Sequence, residues 1–181
     1  MAIIRHSHPR TDNAEIIHLI QTELMPLSHT IDPRDHRQIR ELPLRLRDGV
    51  TFVISETRWS KPLGFVHLYL TGDTLLFDLL AIHPDHRGKQ WGKALMMYGE
   101  AYGRSRQCTK GLLYFDEGNH TAYRLYSKLG YAVASHFPAM RCYSMEKSFS
   151  SCAEEPAFHA PMSLLPNLQK RLYRKQHWNP H

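Results

Sequence analysis

The residues of this 181-residue chain that could do chemistry gather in one stretch. There the apolar run Leu79-Leu80-Ala81-Ile82 leads through His83-Pro84-Asp85-His86 into Arg87-Gly88-Lys89-Gln90-Trp91-Gly92-Lys93-Ala94-Leu95. A strand enters a basic, glycine-containing turn, and the turn opens directly into a helix. Such a turn brings the unpaired N–H groups of a helix start and the positive end of its dipole to one point. Gly88 and Gly92 permit close approach of a ligand, while Arg87, Lys89 and Lys93 add positive charge. The physical reading is a diphosphate site. A basic solvated turn that only caps a helix fits the charge pattern equally well, and both readings stay open at this point. Two familiar phosphate loops are excluded: no Ser or Thr follows the lysine, and three glycines at dinucleotide-fold spacing are absent.

Other reactive types are sparser. Asp78 is an acidic interruption in the apolar run Leu75 to Ile82, and a carboxylate there is costly to bury without a partner or a task. It reads as a candidate general base, or as a strand aspartate that faces solvent or anchors a loop. Cys108, Cys142 and Cys152 are an odd number without metal-like spacing and read as reduced thiols. The 13 histidines are scattered, and neither His83 with His86 nor His6 with His8 has the further ligands a metal would need. No metal is expected.

The elements that must position these groups follow from periodicity. Ile3-Ile4 predicts a short first strand. A helix follows, capped by Thr11 or Asp12, with Ile16, Ile17, Leu19, Ile20 and Leu24 at helical spacing and Pro26 as its end. A second, more charged helix is expected from about Pro33 to Leu46, with Pro43 as an interruption. Three strand-like runs, Val50 to Ser55, Leu63 to Leu70 and Thr74 to Ile82, are separated by short turn segments. Then come a helix from Gln90 to Ser105, a strand from Gly111 to Phe115 and a helix from Asn119 to Leu129. Strands Tyr131 to His136 and Met140 to Lys147 close the order. A mixed sheet flanked by helices is the architecture this order implies.

Composition sets outer limits. One domain is expected at this length, and 42% apolar with 22% charged residues is ordinary for a soluble globular chain. No apolar run reaches the roughly 18–20 residues that span a bilayer, and the first residues lack a signal-peptide core, so a cytoplasmic protein is expected. A net charge of +6 favours anionic ligands. Residues 150–181 change character, becoming Ser-rich, then Pro-rich, then basic, with Leu165, Leu168 and Leu172 at helical spacing. They read as a basic extension to a 1–149 domain, either frayed or carrying a short docked helix.

Two segments carry a resemblance. The stretch from Ile82 to Gly92 resembles the acetyl-CoA signature of the GNAT superfamily of N-acetyltransferases, Arg/Gln-x-x-Gly-x-Gly/Ala, with Arg87 and Gly92 at its first and last positions. Gln90 departs from it, standing where the family has glycine. Asn119-His120-Thr121-Ala122-Tyr123-Arg124-Leu125-Tyr126-Ser127-Lys128-Leu129-Gly130-Tyr131 is similar to the family's Asn-x-x-Ala-x-x-Leu-Tyr-x-Lys-x-Gly-Phe/Tyr segment at every stated position. Read without the family, Ala122, Leu125 and Leu129 are a helix's buried face and Gly130 its stop.

The resemblance implies an α/β (α+β) fold with a mostly antiparallel sheet, splayed fourth and fifth strands, and acetyl-CoA between them. Backbone groups of Leu80 and Ile82 would meet the pantetheine, and the turn Arg87, Gly88, Lys89, Gln90, Trp91, Gly92 and Lys93 would hold the diphosphate. Asn119 would bond the cofactor arm, unless it only caps its helix. A backbone N–H at Leu80 or its neighbour would stabilise a developing oxyanion. Tyr126 resembles the family's general acid, and Asp78 stands four residues before Ile82, where many members carry an active-site acid; Glu56 and Glu117 are the next candidates. The acceptor is an amine, from a small molecule or a peptide, contacted by Leu27 to Asp48 and His136 to Met140. His29, Arg34, Asp35, His36, Arg37, Arg40 and Glu41 lie in the first of these. Two other readings stand beside transfer: a non-catalytic module that binds acetyl-CoA, and a basic nucleic-acid-binding protein, which lacks a supporting motif. A homodimer is left open.

Overall fold

The computed structural model describes residues 2–29 and 36–149. The expected extension 150–181, its helix, Cys152, Arg34 and Asp35 lie outside these residues. The chain runs β1 (Ile3–His6), α1 (Pro9–Leu19), α2 (His36–Arg47), β2 (Val50–Ser55), β3 (Gly64–Thr71), β4 (Thr74–Ile82), α3 (Trp91–Ser105), β5 (Lys110–Asp116), α4 (His120–Lys128), β6 (Ala132–Phe137) and β7 (Cys142–Ser148). The expected elements all occur, in the expected order. No described helix is long and apolar enough to cross a membrane.

The strands form one sheet in the order β1-β2-β3-β4-β5-β7-β6. Strand alternation gives it two apolar faces. Phe52, Ile54, Val66 and Leu68 meet Leu95 and Met96 of α3, with Tyr126 and Leu129 of α4 packed on the same cluster. Val53 and Phe65 point the other way, onto Ile16 and Leu19 of α1 and Leu42 and Leu46 of α2. Each such side chain contributes about 1.5–3 kcal/mol when fully buried. Gly99 and Gly103 bring α3 close to the sheet: an added Cβ would lie 2.8 Å from Phe77 and from Leu75, respectively.

Three local expectations are corrected. Neither Thr11 nor Asp12 caps α1; the helix begins at Pro9, whose missing N–H costs nothing in the first turn. Asp12 is buried instead, accepting hydrogen bonds from the Arg5 guanidinium (2.6 and 3.1 Å) and the His8 N–H (2.6 Å). Pro26 does not end α1 directly, because a π-helical turn (Ile20–Leu24) and a 3-10 turn (Met25–Leu27) follow it. Pro43 does not interrupt α2; it lies on the exposed face, where water can serve a backbone group that loses its partner.

All neighbouring strands are antiparallel except β4 and β5, which pair in parallel only from Thr74↔Lys110 to Phe77↔Leu113. Beyond that level β4 stays with β3 as far as Gly64↔Ile82, and β5 stays with β7 as far as Asp116↔Cys142. A wedge therefore opens between Asp78–Ile82 and Tyr114–Asp116, as the resemblance implied. A bulge marks its apex. Leu68 pairs with Phe77 and His67 with Leu79, which leaves Asp78 without a cross-strand partner on β3.

Candidate active site

The β4–α3 turn closes one end of the wedge. Helix α3 makes its first bond from the Ala94 N–H to the Gln90 carbonyl, so the N–H groups of Trp91, Gly92 and Lys93 have no acceptor within the helix. Gly88 has φ +77°, and an added Cβ there would meet nothing within 4 Å. Gln90 also adopts the left-handed region (φ 60°, ψ 16°) as the residue before α3. That conformation explains why glycine suits the position and why glutamine is strained there. Trp91 stacks on His86 at 5.5 Å, and the Lys89 ammonium lies over its ring at 5.3 Å. Gly92 faces α4 and β4: an added Cβ would lie at ordinary contact distance, 3.5 Å from Leu125 and 3.8 Å from Ile82, so anything larger would crowd them. The turn, the end of β4 and the side of α4 thus meet at one point.

Arg87 does not extend freely toward this point. Its Nε donates to the Ile82 carbonyl at 3.2 Å, and its guanidinium pairs with Glu23 of the π-helical turn. The side chain shapes the turn and ties it to the segment after α1. Lys89, Lys93 and the backbone carry the positive potential that remains.

On the β4 wall, Asp78 is not a solitary acid. Arg45 of α2 grips both of its oxygens, Nε at 2.9 Å and a terminal nitrogen at 2.6 Å. Burial disfavours the Arg45 charge, but Asp78 and then Tyr69 more than compensate and hold its pKa above the usual value. The carbonyl of Arg45 also accepts the Tyr69 hydroxyl at 3.1 Å. A proton taken by Asp78 would have to displace a two-pronged guanidinium. The pair ties β4 to helix α2. Arg45 stands in a charged helix that periodicity places near β4, but nothing in the sequence pairs these two residues in particular.

The opposite wall is β5 and α4. Tyr126 is half-buried on α4, with its ring centroid 6.3 Å from Phe115 and 6.4 Å from Tyr131. Burial pushes its phenol up to about 12, so it holds its proton at neutral pH. Asn119 caps α4, its Oδ1 accepting the Ala122 N–H at 3.1 Å. Tyr114 and Asp116 face the α1–α2 side, because Leu113 and Phe115 between and beside them pack toward α3 and α4. Burial raises both, foremost for the Tyr114 phenol, next to Phe137 at 6.1 Å, and likewise for the Asp116 carboxyl. Neither was singled out from the sequence; the available signal was their place two residues apart, Tyr114 inside the predicted strand and Asp116 just past its end. Glu117 is engaged with His136 (2.5 Å) and Arg141 (3.6 Å), and its pKa is held down chiefly by the His136 hydrogen bond. Glu56 is exposed in the β2–β3 turn. A cleft of about 520 Å³ lies beside α4, lined by Phe115, Asn119, Tyr123 and Tyr143 among others.

The arrangement fits a nucleotide-tailed thioester on its own geometry: unpaired strand edge, unpaired helix N–H groups and open space over Gly88. The acetyltransferase (GNAT) family model matches residues 14–131, and the chain belongs to that family. The matched span contains both the β4–α3 turn and α4. Acetyl-CoA is the co-substrate of the family. Among solved structures, a Klebsiella pneumoniae protein provisionally designated an acyl-CoA N-acyltransferase is 25% identical, with a TM-score of 0.64 over 83% of this chain and 99% of that one. The PaiA N-acetyltransferase of Thermoplasma acidophilum, solved with coenzyme A, is 18% identical with a TM-score of 0.69 over 82% and 99% of the two chains, a likeness of fold. A mycothiol acetyltransferase of Thermobispora bispora is 42% identical over 53 residues, 29% of this chain but only 18% of that protein's length.

Proposed function

We propose that this protein transfers the acetyl group of acetyl-CoA to a primary amine, of a small molecule or a peptide, by direct attack in a ternary complex. The observation that carries the reading is the wedge between β4 and β5, with the bare start of α3 at one end and a proton-holding Tyr126 alongside. The turn from Arg87 to Lys93 would hold the diphosphate through its backbone N–H groups, with Lys89 and Lys93 adding charge. The open edges of Leu80 and Ile82 would receive the pantetheine as an added strand does. Asn119 spends its side-chain oxygen on its own helix, leaving its amide N–H groups for the cofactor arm. Bound acetyl-CoA supplies an activated acetyl thioester.

Around it, the backbone N–H of Leu80 or its neighbour would stabilise the charge that builds on the acetyl oxygen. Tyr126 would return a proton to the departing sulfur. Asp78 contributes by fixing α2 against the apex of the wedge through Arg45. The free thiols Cys108 and Cys142 and the thioester donor suit a reducing compartment, and we assign the reaction to the cytoplasm.

Calorimetry with acetyl-CoA, followed by thiol release against amines, amino acids, aminoglycosides and peptides, tests the reading. Binding is expected, and Gly92→Trp should weaken it at least about tenfold, near 1.4 kcal/mol. No binding at millimolar acetyl-CoA would overturn the proposal. Binding without thiol release for any acceptor would leave a non-catalytic acetyl-CoA module.

A further inference from the structure

We propose that Asp116 takes the proton that the acceptor ammonium must lose, from the β5 wall of the wedge; the inference rests on the transferase reading above. An alkylamine with an ordinary pKa of about 10.4 arrives protonated at neutral pH, so attack requires a proton acceptor. Asp85 in the β4–α3 turn is exposed to solvent beside the His83 ring, and three other carboxylates around the wedge are committed to basic side chains. Both oxygens of Asp78 are held by Arg45, Glu23 pairs with Arg87, and Glu117 pairs with His136 and Arg141. Asp116 has no ammonium or guanidinium partner among the described residues.

Its place suits the task. Asp116 ends β5, three residues past the last β4–β5 pair, on the face shared with Tyr114 and turned toward α1 and α2. The groups that face it are few. His29 lies close enough that its backbone N–H and its ring both favour the Asp116 carboxylate charge. The same ring is bonded to the Glu117 carbonyl through Nε2 at 3.2 Å. From β7 comes the Cys142 thiol, raised by burial and then by Asp116 and Glu117. Burial pushes the Asp116 carboxyl up, and the His29 contacts offset only part of that. A carboxylate more basic than usual is better matched to accepting a proton near neutrality.

The step balances without another reagent. The Asp116 carboxylate removes one proton from the ammonium, and the freed lone pair attacks the acetyl carbonyl carbon. The C–N bond forms as the C–S bond breaks, and the electron pair leaves on sulfur, which takes the Tyr126 phenol proton. The second nitrogen proton restores the phenol, and Asp116 releases its own proton to solvent.

A merely structural role beside His29 would also place Asp116 there, and Asp116→Asn separates the two roles. Asparagine keeps a carbonyl oxygen for the His29 N–H but cannot take the proton. With an amine on which the wild type releases thiol, Asp116→Asn should lower kcat/KM about 100-fold at pH 7. The deficit should shrink toward pH 10, where free amine is abundant, while acetyl-CoA affinity and Tm stay unchanged. In the wild type without ligand, a ¹³C carboxyl resonance lost in Asp116→Asn should titrate above the ordinary value of about 3.9. An unchanged rate, a loss equal at every pH, or titration at or below the ordinary value would overturn the assignment while leaving the transferase reading intact. A wild type that releases no thiol with any amine would overturn both.

Discussion

The two walls of the wedge are built from similar residues and used differently. On the β4 side the acid at the apex and the arginine of the turn are neutralised within the fold: Asp78 by Arg45, and Arg87 by Glu23. What that wall offers a ligand is mainly backbone, the unpaired edge of β4 and the bare N–H groups of α3, with the charge of Lys89 and Lys93 beside them. On the β5 and α4 side, burial acts on groups that lack a charged partner, so Tyr114, Asp116 and Tyr126 all hold protons more firmly than usual. The contrast shows how an ion pair and a desolvated acid divide labour. Pairing fixes geometry and removes reactivity, whereas burial without pairing moves a pKa toward useful chemistry.

Substitutions on the two walls should therefore report in different measurements. The largest effect is expected from Tyr126→Phe, which keeps the ring among Phe115 and Tyr131 but removes the proton. Turnover should fall about 10–1000-fold, with acetyl-CoA affinity and Tm nearly unchanged. Equal turnover would reduce Tyr126 to packing and erase the chemical side of the contrast.

On the other wall, Asp78→Ala should act on stability first. It strands a guanidinium that is 31% exposed, so the cost falls between the surface and buried limits, about 1–3 kcal/mol by chemical denaturation. A double substitution of Asp78 and Arg45 by apolar residues should recover part of that loss. If Asp78→Ala instead left stability intact and abolished turnover most strongly at neutral pH, Asp78 would be a base after all and the two walls would share the chemistry.

Gln90→Gly should have the smallest effect. Relief of the left-handed strain, about 1–2 kcal/mol, is opposed by the extra chain entropy of glycine, about 0.5–1 kcal/mol. A net gain of about 0–1.5 kcal/mol is expected in thermal unfolding, with acetyl-CoA affinity equal or tighter. A clear loss of affinity would mean that the Gln90 side chain itself contributes to the cofactor site.

Local sequence determined a good deal of this protein. Alternation in β2 and β3 sorted Phe52 and Val66 from Val53 and Phe65 onto opposite faces, and helical spacing chose the buried side of α1. The glycine-containing basic turn before Trp91 and the Asn119 cap were legible for the same reason, since each depends on residues a few positions apart. Tertiary structure decided what each acid would be. Arg45 lies 33 residues from Asp78, Glu23 lies 64 from Arg87, and Asp116 owes its character to burial and to His29. Periodicity sends a side chain to a face of its element, but the charge of an acid depends on which group folding brings against it. In this chain those groups come from the segment around α1 and α2, laid across the sheet by apolar packing of Ile16, Leu19, Leu42 and Leu46.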